Sequence, residues 1–574
     1  MNNLISNMHE KTSPINHSNI ETFNEFSLKA DYSFINTLNA DPQSKLDGND
    51  HKSRQVFSGH YVPVRPKAIP SPRYVSHSKR FFKDLGLSNK IINDNDFCKF
   101  FSGNYQVSNK DITNLGWATG YALSIYGKEY TFQCPFKTGN GYGDGRAISV
   151  FEGIFRGQRW EMQLKGSGPT PYCRGGDGRA VLRSSIREFL AQELMHSLGI
   201  PTTRSLTLFV SEEEKVKRPW YMKDSNSFEP EILVDNHVAI ATRVAPSFLR
   251  VGQIELFARR FKNNSHNDSF NELKMIVKHL IFRNYQHEID NNKTFPEQII
   301  ELAASYRKRL ISLVANWIRV GYCQGNFNSD NCALGGYTLD YGPFGFCELF
   351  DPNFQPWTGG GDHFSYFNQP IAAELNFKMF CSSLKPLLEA DEKLLEKLND
   401  IISGFSKSMQ EEINLMWMKK LGLKFYDKNL LNDLFNLMLI TKVDFTKFFR
   451  ILSRIPDNVI PLRESFYKFC DPNIEEKWNI WLRTWINSLN KTNNYKDISN
   501  SMLLSNPEFT WREWLVVPAY EEAEKGDFTK FMELQQIFND PYENKIRDLG
   551  KKYDCLRPSK YLNAGGVSHY SCSS

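Results

Sequence analysis

Apolar and polar positions follow two different periods along the chain. Between 147 and 165 they alternate. An apolar run from Ala147 to Phe155 meets a Gly157-Gln158 turn, and Arg159 to Lys165 follows with Trp160, Met162 and Leu164 on one side and Glu161, Gln163 and Lys165 on the other. This predicts a β-hairpin, and Ser205 to Ser211 predicts another strand. From about Arg179 to Leu198 the period becomes helical: Leu182, Ile186, Phe189, Leu190 and Leu194 form one stripe, closed by Gly199 and Pro201. Ser78 to Leu85 has the same spacing, after an extended segment marked by Pro63, Pro66, Pro70 and Pro72. From about Gln253 to Tyr542 the pattern is mostly helical, interrupted by a loop-like stretch from Cys323 to Gly361. The whole predicts an α+β fold. Residues 1–25, polar and rich in Asn, read as a disordered extension. Residues 26–235 form a small α/β unit in which Gln43 to Arg54 reads as a surface insertion, 236–555 a large helical unit, and 556–574 a tail.

Composition narrows the classes. The chain has 574 residues, 41% of them hydrophobic and 14% aromatic, enough for more than one core. Seventy basic and 65 acidic residues leave a net charge of +5, which gives no electrostatic case for nucleic acid. No apolar run approaches a membrane span, and the start has neither the apolar stretch of a signal peptide nor an Arg-rich transit pattern. A cytoplasmic protein is expected; a substrate of a specialised secretion system would begin in the same way. None of the ten cysteines forms a C-x-x-C pair, so a zinc ribbon is not expected, and most read as core residues of a reducing compartment. Cys572, in a polar tail, differs.

Candidate chemistry begins ahead of the hairpin, where Gly139, Gly141, Gly143 and Gly145 alternate with polar residues. Such a backbone can approach phosphates and offer N–H groups to them. Neither a Gly-Lys-Ser/Thr P-loop nor a loop-to-helix Rossmann fingerprint is present. Lys165 at the end of the second strand, with Glu188 on the next helix, repeats the protein-kinase order of glycine loop, lysine and helix glutamate. Taken singly, the two read equally well as an exposed strand lysine and a solvated glutamate. Asn328-Ser329-Asp330-Asn331 and Asp340-Tyr341-Gly342 flank a short apolar hairpin and would gather oxygen ligands suited to Mg²⁺; a pair of Asx turns is the plain alternative. The kinase His-Arg-Asp loop is missing, so by kinase rules the chain is a pseudokinase.

These motifs resemble the selenoprotein O (SelO, YdiU) family. The resemblance is carried by Gly143-Asp144-Gly145-Arg146, Gln163-Leu164-Lys165-Gly166, the run Gly176-Asp177-Gly178-Arg179 through Arg187-Glu188, Thr242-Arg243-Val244-Ala245-Pro246-Ser247, Asp330-Asn331 and Asp340-Tyr341-Gly342-Pro343-Phe344-Gly345. It implies a two-lobed protein-kinase-like fold with ATP bound in a flipped orientation, so that AMP passes to Ser, Thr or Tyr hydroxyls of proteins and pyrophosphate leaves. By position it assigns Gly143, Gly145, Arg146, Lys165, Asp177, Gly178, Arg243 and Arg250 to ATP, with Glu188 orienting Lys165. Asp330 becomes the proton acceptor, and Asn331 and Asp340 hold Mg²⁺ (or Mn²⁺). Forked arginine donors suit buried phosphates, and a seven-residue spacing would align Arg243 and Arg250 on one helical face.

The chain departs from the family in Gln133-Cys134-Pro135-Phe136, where a His-Gln-Phe-Gly-like run is usual, and in Gln324-Gly325, where His-Gly is usual. Cys572 stands where relatives carry selenocysteine or cysteine. In some relatives it pairs with a cysteine after the Asp-Tyr-Gly-Pro-Phe-Gly motif, but Phe354-Gln355-Pro356-Trp357 has none, which leaves Cys347 as the nearest candidate. Two rivals stand beside AMP transfer: UMP transfer from UTP with Mn²⁺, and a nucleotide-binding scaffold without activity.

Overall fold

A computed structural model describes residues 19–107, 109–120, 145–173, 176–468, 471–489, 494–543 and 547–570. Its centre is an antiparallel sheet. The strands are β1 (Tyr61–Val64), β2 (Pro72–His77), β3 (Gly116–Thr119), β4 (Ala147–Phe155), β5 (Gln158–Lys165), β6 (Ala180–Val181), β7 (Arg204–Trp220) and β8 (Ile232–Ala245). They run in the order β1-β3-β4-β5-β8-β7-β2, with β6 paired to β8. The predicted hairpin is β4–β5, in a register that sets Lys165 opposite Ala147 and Ser149 opposite Gln163.

Alternation in β5 does not separate a wet face from a dry one. Met162 and Leu164 are buried, and so are Glu161, Gln163 and Lys165. On the apolar face, Phe26, Phe97, Phe101, Phe151 and Phe155 pack ring against ring. The extension expected over 1–25 therefore stops short: Ile20 and Phe23 belong to this core, and Thr22 and Glu25 form a capping box on the helix Phe23–Ser27. The stretch 43–54 is tied down as well, because Arg54 pairs at 2.6 Å with both Asp41 and Asp50, which are buried.

β7 continues well past the expected Ser211. Its outer half carries charges and no apolar alternation, and it is held by backbone pairing with β8, Lys215 opposite His237 through Trp220 opposite Ile232. The unit boundary expected at 235/236 falls inside β8, so the sheet extends to Ala245.

Three helices recur below. α1 (Leu182–Ser197) carries the predicted apolar stripe and packs on β7 and β8. α2 (Val251–Lys262) follows β8 after a short loop. α3 (Phe295–Val320) is the 26-residue spine of the helical half, opened by a Thr294–Glu297 capping box and ended by Gly321 in the left-handed region (φ 81°). Two short strands, β9 (Tyr322–Gln324) and β10 (Phe344–Phe346), pair antiparallel and bracket the loop that carries Asp330 and Asp340. A second apolar core, around Trp417, Phe445, Phe449, Trp478, Trp481 and Trp485, holds the later helices together. Among the described residues no helix is long and apolar enough to cross a membrane.

Candidate active site

Lys165 is the last residue of β5, and α1 crosses beside it. The lysine Nζ lies 2.7 Å from Glu188 Oε2 and 2.9 Å from Asp340 Oδ1. Arg243 Nη1 reaches the same Asp340 oxygen at 2.9 Å and Glu188 Oε1 at 3.6 Å. Two cations and two carboxylates from β5, α1, β8 and the 325–343 loop thus meet in one buried cluster. Each charge lies against its opposite, the condition under which ionised groups tolerate burial.

Asp330 and Asn331 sit on a single 3-10 turn, Ser329–Asn331. Asn328 Oδ1 accepts from the backbone N–H groups of Asp330 (2.9 Å) and Asn331 (3.2 Å), so the Asx turn is present beneath the functional pair. Asp330 is buried against the first turn of α2, where a Cβ on Gly252 would stand 2.5 Å from Asp330 Oδ1. That carboxylate therefore rests on bare backbone at the positive end of a helix. Asn331 Nδ2 donates to the carbonyl of Asn326 at 2.8 Å, which turns its Oδ1 the other way.

Arg243 and Arg250 do not share a helical face. Arg243 belongs to β8, opposite Gln163, and Arg250 is the residue before α2, with Nη1 donating to the carbonyl of Asp330 at 2.8 Å. The loop between them is pinned by a π-helical turn, Ile281–Tyr285. From it Arg283 donates to the carbonyl of Pro246, and Asn284 Oδ1 accepts from Ser247 Oγ at 2.7 Å.

The third group is built from backbone. A cavity of about 240 Å³ is lined by Gly145, Arg146, Cys173, Gly176, Asp177, Gly178 and Arg218. A Cβ at Gly145 would lie 2.1 Å from the carbonyl oxygen of Tyr172, and one at Gly178 (φ +70°) 2.1 Å from the carbonyl carbon of Gly168. Both positions require glycine. Gly166, which follows Lys165, donates its N–H to the carbonyl of Arg146, a lining residue of the cavity, at 3.1 Å. Of the four alternating glycines, Gly139, Gly141 and Gly143 lie outside the described residues.

Asp177 stands apart from the Lys165 cluster. It is half exposed, and Arg218 Nη2 donates to its two oxygens at 2.8 and 2.9 Å. Arg218, on the charged outer half of β7, was not singled out from the sequence, because nothing local distinguishes it from Lys215 or Lys217. The tail also approaches. Tyr570 N–H donates to the carbonyl of Pro356 at 3.0 Å, and its ring lies 4.4 Å from the guanidinium of Arg187, the neighbour of Glu188. Cys572 lies outside the described residues, and Cys347 is buried, which pushes its thiol pKa above the usual range.

Comparison with known proteins gives the family. The family model described as "Protein adenylyltransferase SelO" matches residues 49–539. A protein of Aromatoleum aromaticum named protein nucleotidyltransferase YdiU is 32% identical over 563 residues, covering 96% of this chain and 100% of the relative. A protein of the same name from Azoarcus sp. (strain BH72) is 33% identical over 560 residues, 95% of this chain and 99% of the relative. With a match of this length and relatives aligned end to end, the chain belongs to the SelO family of protein adenylyltransferases.

Proposed function

We propose that the protein binds ATP between two kinase-like lobes and transfers its AMP to Ser, Thr or Tyr hydroxyls of other proteins. The observation that carries this reading is the Lys165–Glu188 pair at 2.7 Å, with Asp340 and Arg243 completing the cluster. A lysine held in this way by a helix glutamate is the kinase device for gripping phosphate oxygens. Without a His-Arg-Asp loop, the acceptor base falls to Asp330.

In the reaction the acceptor oxygen attacks the α-phosphorus, the bond from that phosphorus to the α,β-bridging oxygen breaks, and the bridging oxygen leaves with the β- and γ-phosphates as pyrophosphate. The hydroxyl proton passes to the Asp330 carboxylate. Arg243 and Lys165 face the negative charge that builds on the leaving pyrophosphate, and Gly145 and Gly178 let the backbone come close to the nucleotide. One carboxylate, Asp340, and one carboxamide, Asn331, with its amide nitrogen turned to Asn326, make a donor set that suits Mg²⁺ when phosphates supply further oxygens. Bound there, the ion would neutralise phosphate charge. The family and relatives' names support nucleotidyl transfer to protein and leave the base open.

The test is incubation with ATP labelled at the α- or the γ-phosphate, and with α-labelled UTP in parallel. Label from α-labelled ATP on protein is the expected result. Transfer of γ-label would make the protein a kinase, and preferential labelling from UTP would make it a uridylyltransferase.

A further inference from the structure

We infer that Gln163 is a positioning residue for nucleotide transfer, holding the guanidinium plane of Arg243 towards the phosphates by a neutral contact. The inference rests on the adenylyl-transfer reading above.

Gln163 and Arg243 are directly opposed across β5 and β8, and Ser149 on β4 and Ser205 on β7 continue the same row. Four neighbouring strands thus contribute one polar residue each to a buried line across the sheet. Arg243 Nε donates to Gln163 Oε1 at 3.0 Å. Gln163 Nε2 donates in turn to Ser149 Oγ at 2.9 Å, and Ser149 Oγ donates to Glu161 Oε1 at 2.6 Å. On the other side Ser205 Oγ donates to the carbonyl of Phe189, one residue after Glu188. All of these side chains are buried.

Arginine has a long, rotatable stem, and its fork is selective only when its plane is fixed. Beside its longer contact with Glu188 and the Phe248 ring, two hydrogen bonds hold it at different nitrogens. One is to the Asp340 carboxylate, which the proposed reaction would commit to the metal. The other, to Gln163, does not have to be given up when nucleotide arrives. A carboxamide holds the nitrogen without cancelling the charge, as a carboxylate would. The same strand face does use a carboxylate where charge is to be cancelled: Glu161, two residues earlier, faces Arg283 at 3.5 Å.

The experiment is a double-mutant cycle on the full chain with MgATP, reading KM for ATP, kcat and ATP affinity. Gln163→Met should raise KM roughly 10- to 100-fold, the usual cost of losing a supporting contact to a ligand-binding group, with a smaller fall in kcat. In the Arg243→Ala background the same change should add nothing. Ser149→Ala leaves Gln163 in place but removes its anchor, and should raise KM roughly two- to tenfold, as for one hydrogen bond; it carries the test if Gln163→Met does not fold. An unchanged KM in these variants, or effects of Gln163→Met and Arg243→Ala that multiply, would overturn the inference alone. A wild-type protein that neither binds ATP nor transfers α-label would remove both this inference and the reading beneath it.

Discussion

Two buried ion clusters in this molecule have the same formal make-up and different surroundings. In one, Lys165 and Arg243 meet Glu188 and Asp340. In the other, Arg512 and Arg557 meet Glu348 and Asp444, with Arg512 2.6 Å from Asp444 and Arg557 2.6 Å from Glu348. The second is fastened on every side. Trp514 Nε1 donates to Glu348 at 2.8 Å, and Asp444 caps the helix Phe445–Leu452 through the N–H of Lys447 at 3.0 Å. Side-chain exposure is alike in the two, 0–11% across Arg512, Asp444, Glu348 and Arg557 and 0–12% across Arg243, Glu188, Lys165 and Asp340. Burial alone would raise the Glu348 carboxyl, yet the two arginines hold its pKa below the usual carboxylate range. One cluster is a strut that ties the tail to the helical core. The other is one backbone hydrogen bond from a glycine-walled cavity, from Gly166 beside Lys165 to Arg146 in its lining. Charge pairing and burial alone do not separate a site from a brace; the neighbouring backbone does.

Substitutions should pull the two apart. The largest effect is expected on turnover: Asp340→Ala abolishes transfer, and Asp330→Ala lowers kcat by roughly 10²–10⁴-fold, the range for a lost general base. ATP titration should show near-normal binding for Asp330→Ala only. If both variants bound equally poorly, Asp330 would have to be reassigned as a metal ligand. Glu348→Ala breaks the strut and should cost about 3–5 kcal/mol in urea unfolding, as for one partner removed from a buried pair, while the folded fraction keeps its kcat. A stable but inactive Glu348→Ala protein would erase the distinction drawn between the clusters. Gly178→Ala forces a side chain into a left-handed, crowded position and should cost about 1–3 kcal/mol, with weakened ATP affinity measured alongside.

The smallest effect is on pH dependence. Desolvation by burial lowers the pKa of His60, His77 and His279, and that of His196 to about 4. These rings stay neutral in the fold but take up protons when unfolded below about 6.5, so stability falls as pH drops from there towards 4. Urea midpoints at pH 7.5 and 5.5 measure this; a midpoint that held steady or rose on acidification would contradict it.

Much of the site was legible because it is local. Hairpin, lysine and helix glutamate lie within a few dozen residues, and 3.6- and 2-residue periods report them. The glycines at 145 and 178 were legible as glycines, and the close approaches of Tyr172 and Gly168 give their reason. What periodicity could not report was pairing between distant segments. Arg243 and Arg250 are spaced for a helix but lie on a strand and at a helix start, because β5 recruits 241–245 as its partner. The outer half of β7 has no apolar alternation, since backbone pairing with β8 carries it, and so Arg218 was invisible. Phe23 and Phe26 sat in a polar-looking start whose order depends on rings contributed by Phe97, Phe100 and Phe151.

The distance in sequence between Lys165 and Asp340 has a consequence during synthesis. The two are 175 residues apart. At the roughly 5–20 residues per second of polypeptide elongation, about 9–35 s separate their emergence. Over the last 97 residues of that stretch, about 5–19 s, the sheet can form with Lys165, Arg243 and Glu188 in place, two positive charges against one negative, and with no Asp340 to balance them. The nascent half-molecule thus carries one unbalanced positive charge at this point until the aspartate that completes the cluster emerges.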